Sequence, residues 1–157
     1  MFPIPWYVVL FVSIPEAFLV VVLGFSLFNL RISYKNALLV ALIAAWVCYL
    51  VRLHNRINGI HTLIEALAII VLCVLITRIN TCKTTTAILA GLTIAGGLQY
   101  SYLSLIFSLT STNINDLISR PWLNILLFIP QAVVMTLLYL WVRKTHFYIL
   151  DGASRDA

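Results

Sequence analysis

The sequence predicts an all-α, polytopic integral membrane bundle of about five transmembrane helices. Three observations predict it. Hydrophobic residues make up 62% of the 157, charged residues only 10%, and the mean hydropathy is +1.05, more apolar than the surface of a soluble domain of this size permits. The charges gather in short clusters between long apolar runs. The polar stretches between those runs, of which Thr110 to Arg120 and Thr145 to Ala157 are the longest, are too short to fold a soluble domain. The chain therefore reads as a single transmembrane domain over residues 1–144 with a short cytoplasmic tail over 145–157.

A span needs about 20 mostly apolar residues, which sets the element boundaries. The first runs from Ile4 to Asn29, joining two apolar runs across Glu16, with Trp6 as an interfacial anchor. Pro15 lacks the N–H that would complete the helix ladder, so a kink is expected there. No basic flank precedes the apolar core and no small-residue exit follows it, so this segment is expected to stay as an anchor rather than be cleaved. The second span covers Tyr34 to Leu53 and carries Ala37, Ala41 and Ala45 on one stripe. The third runs from Ile60 to Ile79 and takes in His61.

The fourth span, Thr85 to Ser108, carries Ala87, Gly91 and Ala95 at four-residue spacing, followed by Gly96 and Gly97. Small residues in such stripes let helix backbones approach closely in lipid, where van der Waals packing drives association. The paired glycines are expected to loosen the helix, and Gln99, Tyr100 and Tyr102 beyond them form a polar and aromatic patch suited to lining a cavity. The fifth span covers Pro121 to Val142. Short connections make sequential helices antiparallel neighbours. Between spans four and five, Thr110 to Arg120 reads as an amphipathic turn lying on the membrane, with Asp116 and Arg120 paired on its exposed face.

Lys and Arg in the connections orient the spans. Seven fall on one side (Arg31, Lys35, Arg78, Lys83, Arg143, Lys144 and Arg155) and three on the other (Arg52, Arg56 and Arg120). The amino terminus is expected outside and the carboxyl terminus in the cytoplasm. The net charge of +5 then reflects topology and contact with anionic lipid, and no interleaving of aromatic and basic residues points to nucleic acid. Cys48, Cys73 and Cys82 have neither disulfide nor metal-ligand spacing and read as small core residues, so no cofactor or metal is expected.

A carboxylate at membrane depth costs at least a few kcal/mol, so it faces a protein interior, a water-filled cavity or a partner. Two glutamates pose that question. Glu16 lies about halfway along the first span, next to Pro15, as a ligand or proton site or as a group hydrogen-bonded across a helix interface. An internal echo supports it: Pro5, Trp6, Ile14, Pro15, Glu16, Ala17 resembles Pro121, Trp122, Ile129, Pro130, Gln131, Ala132. Spans one and five run in the same direction, which makes Gln131 a neutral partner for Glu16 within one subunit or between two.

Glu65 follows His61 by four residues on one helix face, so the two can hydrogen-bond. Arg52 and Arg56, reaching the same place across a loop containing Gly59, complete an outward cluster of Arg52, His54, Arg56, His61 and Glu65. Imidazoles titrate near neutral pH, so such a cluster suits an extracellular ligand; the bland alternative is basic residues meeting lipid phosphates while His61 neutralises Glu65.

Several short motifs carry a family resemblance: Glu16-Ala17 in the first span, Leu30-Arg31-Ile32-Ser33-Tyr34-Lys35 at the first inner turn, Tyr49-Leu50-Val51-Arg52-Leu53, Gly59-Ile60-His61-Thr62-Leu63, and Arg120-Pro121-Trp122-Leu123. Together they resemble the membrane input region that precedes the kinase core in certain sensor histidine kinases of Gram-positive, spore-forming bacteria. The resemblance implies an input or interaction module of a bacterial plasma membrane. The chain departs from that family in carrying no dimerisation-histidine helix and no Gly-rich nucleotide lid, so autophosphorylation is not implied.

Three functional classes follow. The first is a non-enzymatic sensor or adaptor, a homo-oligomer or the partner of another membrane protein. In it an outside ligand, pH or lipid state at the His61 and Glu65 cluster shifts helices hinged at Pro15 and Pro130 and signals near Arg143 and Lys144, with Glu16, Arg52, His61, Glu65, Gln99 and Gln131 as the candidate ligand or proton residues. The second is a small homo-oligomeric channel or transporter with Glu16, Gln131 and Gln99 along a polar path. The third, an intramembrane enzyme, is disfavoured: no Gly-x-Ser-x-Gly or His-Glu-x-x-His motif occurs, and Cys73 sits about 18 Å along the helix from His61.

Overall fold

The computed structural model describes residues 6–54, 60–110 and 122–149. These form five helices, with no strand among the described residues. Helix α1 runs Trp6–Leu27, α2 Tyr34–His54, α3 Ile60–Thr77, α4 Thr81–Thr110 and α5 Trp122–Thr145. Four stretches are long and apolar enough to cross a membrane: Trp6–Leu27, Tyr34–Val51, Thr81–Leu105 and Trp122–Thr145. The corresponding apolar stretch of α3, Leu63–Thr77, is shorter. The surface agrees with a lipid environment, since large apolar side chains point outward along whole helix faces, as Leu63, Leu67, Val71 and Leu75 do on α3, while Ile69 and Cys73 turn inward.

Local chemistry explains the helix ends. Ser33 caps α2, its Oγ accepting from the Asn36 N–H at 3.2 Å. Asn80 caps α4, its Oδ1 accepting from the Cys82 N–H at 2.9 Å, and this cap starts the helix at Thr81 rather than at the expected Thr85. The expected third span through Ile79 stops at Thr77 because Arg78 takes a left-handed conformation, φ 53°. Asn29 and His146, both at φ 51°, end α1 and α5 in the same way. Within the helices most hydroxyls turn back on their own ladder, as Ser26 on Val22, Thr93 on Leu89 and Thr136 on Ala132 do, which satisfies them without water.

Helix α1 is the axis of the bundle, packing against α2, α4 and α5. It meets α4 antiparallel through two reciprocal close approaches. A Cβ added to Gly24 would strike the Ala87 carbonyl oxygen, and one added to Gly91 would lie 2.5 Å from the Val20 carbonyl oxygen. The Ala87, Gly91, Ala95 stripe therefore packs inside the chain, against α1. The Ala37, Ala41, Ala45 stripe is likewise buried. Gly96 and Gly97 face open space, and α4 continues through them as regular helix. The kink expected at Pro15 takes the form of a π-helical segment, Val9–Ser13, immediately before the proline. Widening the turn accommodates a ring that closes against the preceding carbonyls.

The core reading of the cysteines holds for Cys48 and Cys73, which are buried, and fails for Cys82, which is exposed. Cys82 lies in the first turn of α4, beside the connection from α3, rather than within the packed length of the helix. Arg56, Gly59 and the Thr110 to Arg120 amphipathic turn lie outside the described residues, apart from Thr110 itself, as does the tail beyond Ile149.

Candidate functional site

Glu16 stands ten residues into α1 from Trp6, about 15 Å along the axis, and Gln131 stands nine into α5 from Trp122, so parallel helices bring both to the same depth near the middle of their spans. The structure joins them. Gln131, buried, donates from Nε2 to Glu16 Oε1 at 3.2 Å and to the Ala95 carbonyl at 3.5 Å, one amide linking α5 to both α1 and α4. That carbonyl lies just past the close contact of the small-residue stripe, where the helices begin to part. Donors aimed at a carboxyl in a low-dielectric interior stabilise its charge far more than the same bond does in water.

Beyond Gln131 the three helices enclose a small chamber of about 80 Å³. Its polar walls are Glu16, Gln99, Tyr102, Asn124 and Gln131, and Val12, Leu103, Leu127 and Phe128 supply the apolar remainder. The volume has room for about two or three water molecules, or for one small cation, and excludes a drug-sized ligand. The Tyr102 hydroxyl is buried at this chamber with no hydrogen-bond partner among the described residues. A buried hydroxyl without a partner is costly, which makes it a pointer to a polar occupant.

Glu16, Gln99 and Gln131 are thus brought to one place. Asn124 joins them unannounced. Its signal was present, because Asn124 precedes Gln131 by seven residues and so lies on the same face two turns earlier. The other expected site divides. Glu65 accepts a hydrogen bond from the Cys48 thiol at 3.2 Å, which ties α3 to α2. Arg52 and His61 fall within α2 and α3, at the ends joined by residues 55–59, and their side chains lie outside the described residues. The Glu65 contact to Cys48 was not anticipated, as it depends on which faces of α2 and α3 meet.

Among the described residues no group of three or more His, Cys, Asp or Glu converges as metal ligands. The fold and chamber define a class, a helical multi-pass membrane protein with a polar site between its spans. Comparison with family models, curated proteins and solved structures returns no match, so the sensor-kinase resemblance rests on the sequence motifs alone.

Proposed function

We propose that this chain is a non-enzymatic sensor or adaptor of the bacterial plasma membrane, with five spans, its amino terminus outside and its carboxyl terminus in the cytoplasm. Helices α2 and α4 both run antiparallel to α1, so a chain that crosses with each of them returns through the membrane between them, and α3 is the segment available. The occupant of the chamber is a proton with its water or a small cation, held by the Glu16 carboxyl. The observation that carries this reading is the Gln131 amide on Glu16 and on the Ala95 carbonyl: a change of charge at Glu16 alters the bond that ties α5 to the other two helices. Pro130, inside α5 and one residue before Gln131, removes a ladder hydrogen bond where a hinge would act. Output passes from the end of α5 to a second copy or a partner protein.

The alternative of a pore between copies asks Glu16 to face a neighbour, whereas Gln131 of the same chain already occupies one of its oxygens. The test follows carboxyl protonation by infrared spectroscopy in reconstituted protein, together with the spin-label distance from native Cys82 to Thr145→Cys. Titration is expected to move the distance and a carboxyl band in wild type, and in Glu16→Gln that band is lost and the distance stays constant. A distance that stays constant through the titration in wild type refutes the sensor reading, and cation flux lost in Glu16→Gln would install the pore.

A further inference from the structure

A second polar cluster lies at the opposite end of α1 from Trp6, away from the chamber. Tyr34, at the start of α2, and Tyr139, on α5, meet hydroxyl to hydroxyl at 2.6 Å. Arg143, one turn past Tyr139, donates from Nη1 to both, at 2.5 Å to Tyr34 and 3.0 Å to Tyr139. The two phenols engage one nitrogen of the guanidinium and hold the group in a fixed orientation, leaving Nη2 and Nε as a donor pair of the geometry that grips phosphate. The chain after α5 turns over this place: His146 takes its left-handed conformation, the Ile149 N–H donates to the Leu27 carbonyl at 2.8 Å, and Tyr148 is carried to the rim.

These residues border an open cavity of about 460 Å³, to which Arg31 adds a second cation and Ser26 a hydroxyl. Among the described residues no carboxylate lines it. The two described carboxylates are engaged elsewhere, Glu16 by Gln131 and Glu65 by Cys48. Apart from Asn29, the remaining wall is apolar, formed by Val22, Phe25, Leu30 and Ile32. The cavity thus joins two guanidinium groups and several hydroxyls to an apolar floor at the ends of membrane-spanning helices. That combination matches a phosphodiester at the headgroup level with hydrocarbon attached, and basic pockets between helices are where such headgroups bind.

We propose that this cavity binds phosphate as the headgroup of an anionic phospholipid, gripped by Arg31 and Arg143 and oriented by Tyr34 and Tyr139. The site is independent of the Glu16 chamber and of the orientation of the chain in the membrane.

The test is native mass spectrometry of the full chain released from nanodiscs of phosphatidylcholine containing a minor fraction of phosphatidylglycerol. Wild type is expected to retain phosphatidylglycerol above its share of the bilayer. Arg143→Ala is expected to lower that retention about tenfold, the loss of one charge-assisted contact set, and Tyr139→Phe a few-fold. Lys144→Ala makes the same change in net charge one residue away, outside the cavity, and is expected to leave retention unchanged. Loss of equal size in Arg143→Ala and Lys144→Ala would mean general surface electrostatics and overturn the proposal, as would retention in proportion to bilayer content in wild type. A parallel arm adds inorganic phosphate to protein in neutral detergent. Displacement of the lipid by phosphate at low concentration would assign the site to free phosphate and overturn the lipid assignment. Should Arg143→Ala fail to fold, Tyr139→Phe and Arg31→Ala carry the same comparison.

Discussion

Along the seam between α1 and α4 the two backbones touch at one end and part at the other. At Gly24 and Gly91 there is no room for even one more carbon, whereas eight residues along α1 from Gly24, at Glu16, the same helices stand far enough apart to enclose a chamber with polar walls. What separates the two regions is side-chain size. Gly and Ala on facing turns bring the helices together, and the π segment before Pro15 on one side with Gln99 and Tyr102 on the other hold them open. Close contact at one end lets the other end remain polar, because a membrane helix pair without the packed stretch has little to offset a buried carboxyl.

The largest effect is expected where the seam is closed. Gly91→Leu and Gly24→Leu each drive a side chain into a backbone carbonyl, which no rotamer change relieves, and overpacking of that kind costs about 3 kcal/mol or more. Thermal unfolding in detergent is expected to show a marked loss of stability for both, and Gly97→Leu, which faces open space on the same helix, is expected to change little. Equal tolerance at Gly91 and Gly97 would break the comparison at its root.

A smaller effect is expected at the open end. Gln131→Leu keeps the volume of the side chain and removes the donor, leaving the Glu16 carboxyl and the Ala95 carbonyl without its bonds, at a cost of about 1–3 kcal/mol. Glu16→Gln in the same background provides a donor of its own and is expected to recover part of that loss. A double-mutant cycle over the two positions measures the coupling directly, and a value near zero would mean that the amide and carboxyl do not act on each other.

Much of this was legible from residues alone. Apolar runs located the five helices, the Ala87, Gly91, Ala95 stripe marked a close helix contact, and the matched Pro-Glu and Pro-Gln pairs placed Gln131 opposite Glu16. Gly24 was not singled out, because a glycine among valines in an apolar span has no distinguishing pattern until its neighbour is known. The α4 start was missed by four residues, since the Asn80 cap outweighs the polar run of threonines after it. Cys82 was assigned to the core on residue type, when its place in a first turn decides its exposure. The Tyr34, Tyr139 and Arg143 cluster depends on the rotation of α5 about its axis and on the turn at Asn29, neither of which hydropathy constrains.

The smallest effect is also the most diagnostic. Tyr102→Phe deletes one hydroxyl that lacks a hydrogen-bond partner among the described residues and borders the chamber. In a dry chamber the substitution removes a buried, unsatisfied group and leaves stability unchanged or raises it, because an orphaned hydroxyl costs more than the phenyl edge that replaces it. In a chamber with a polar occupant the hydroxyl is a partner of that occupant, and the substitution costs about 1 kcal/mol. Chemical denaturation of wild type and Tyr102→Phe decides between the two by sign. Destabilisation is the expected result, and it should disappear in a Glu16→Leu background, where no carboxyl remains to hold an occupant. Stabilisation of Tyr102→Phe in the wild-type background would mean that the open end of the seam is a packing defect, and that the comparison with the closed end describes only steric fit.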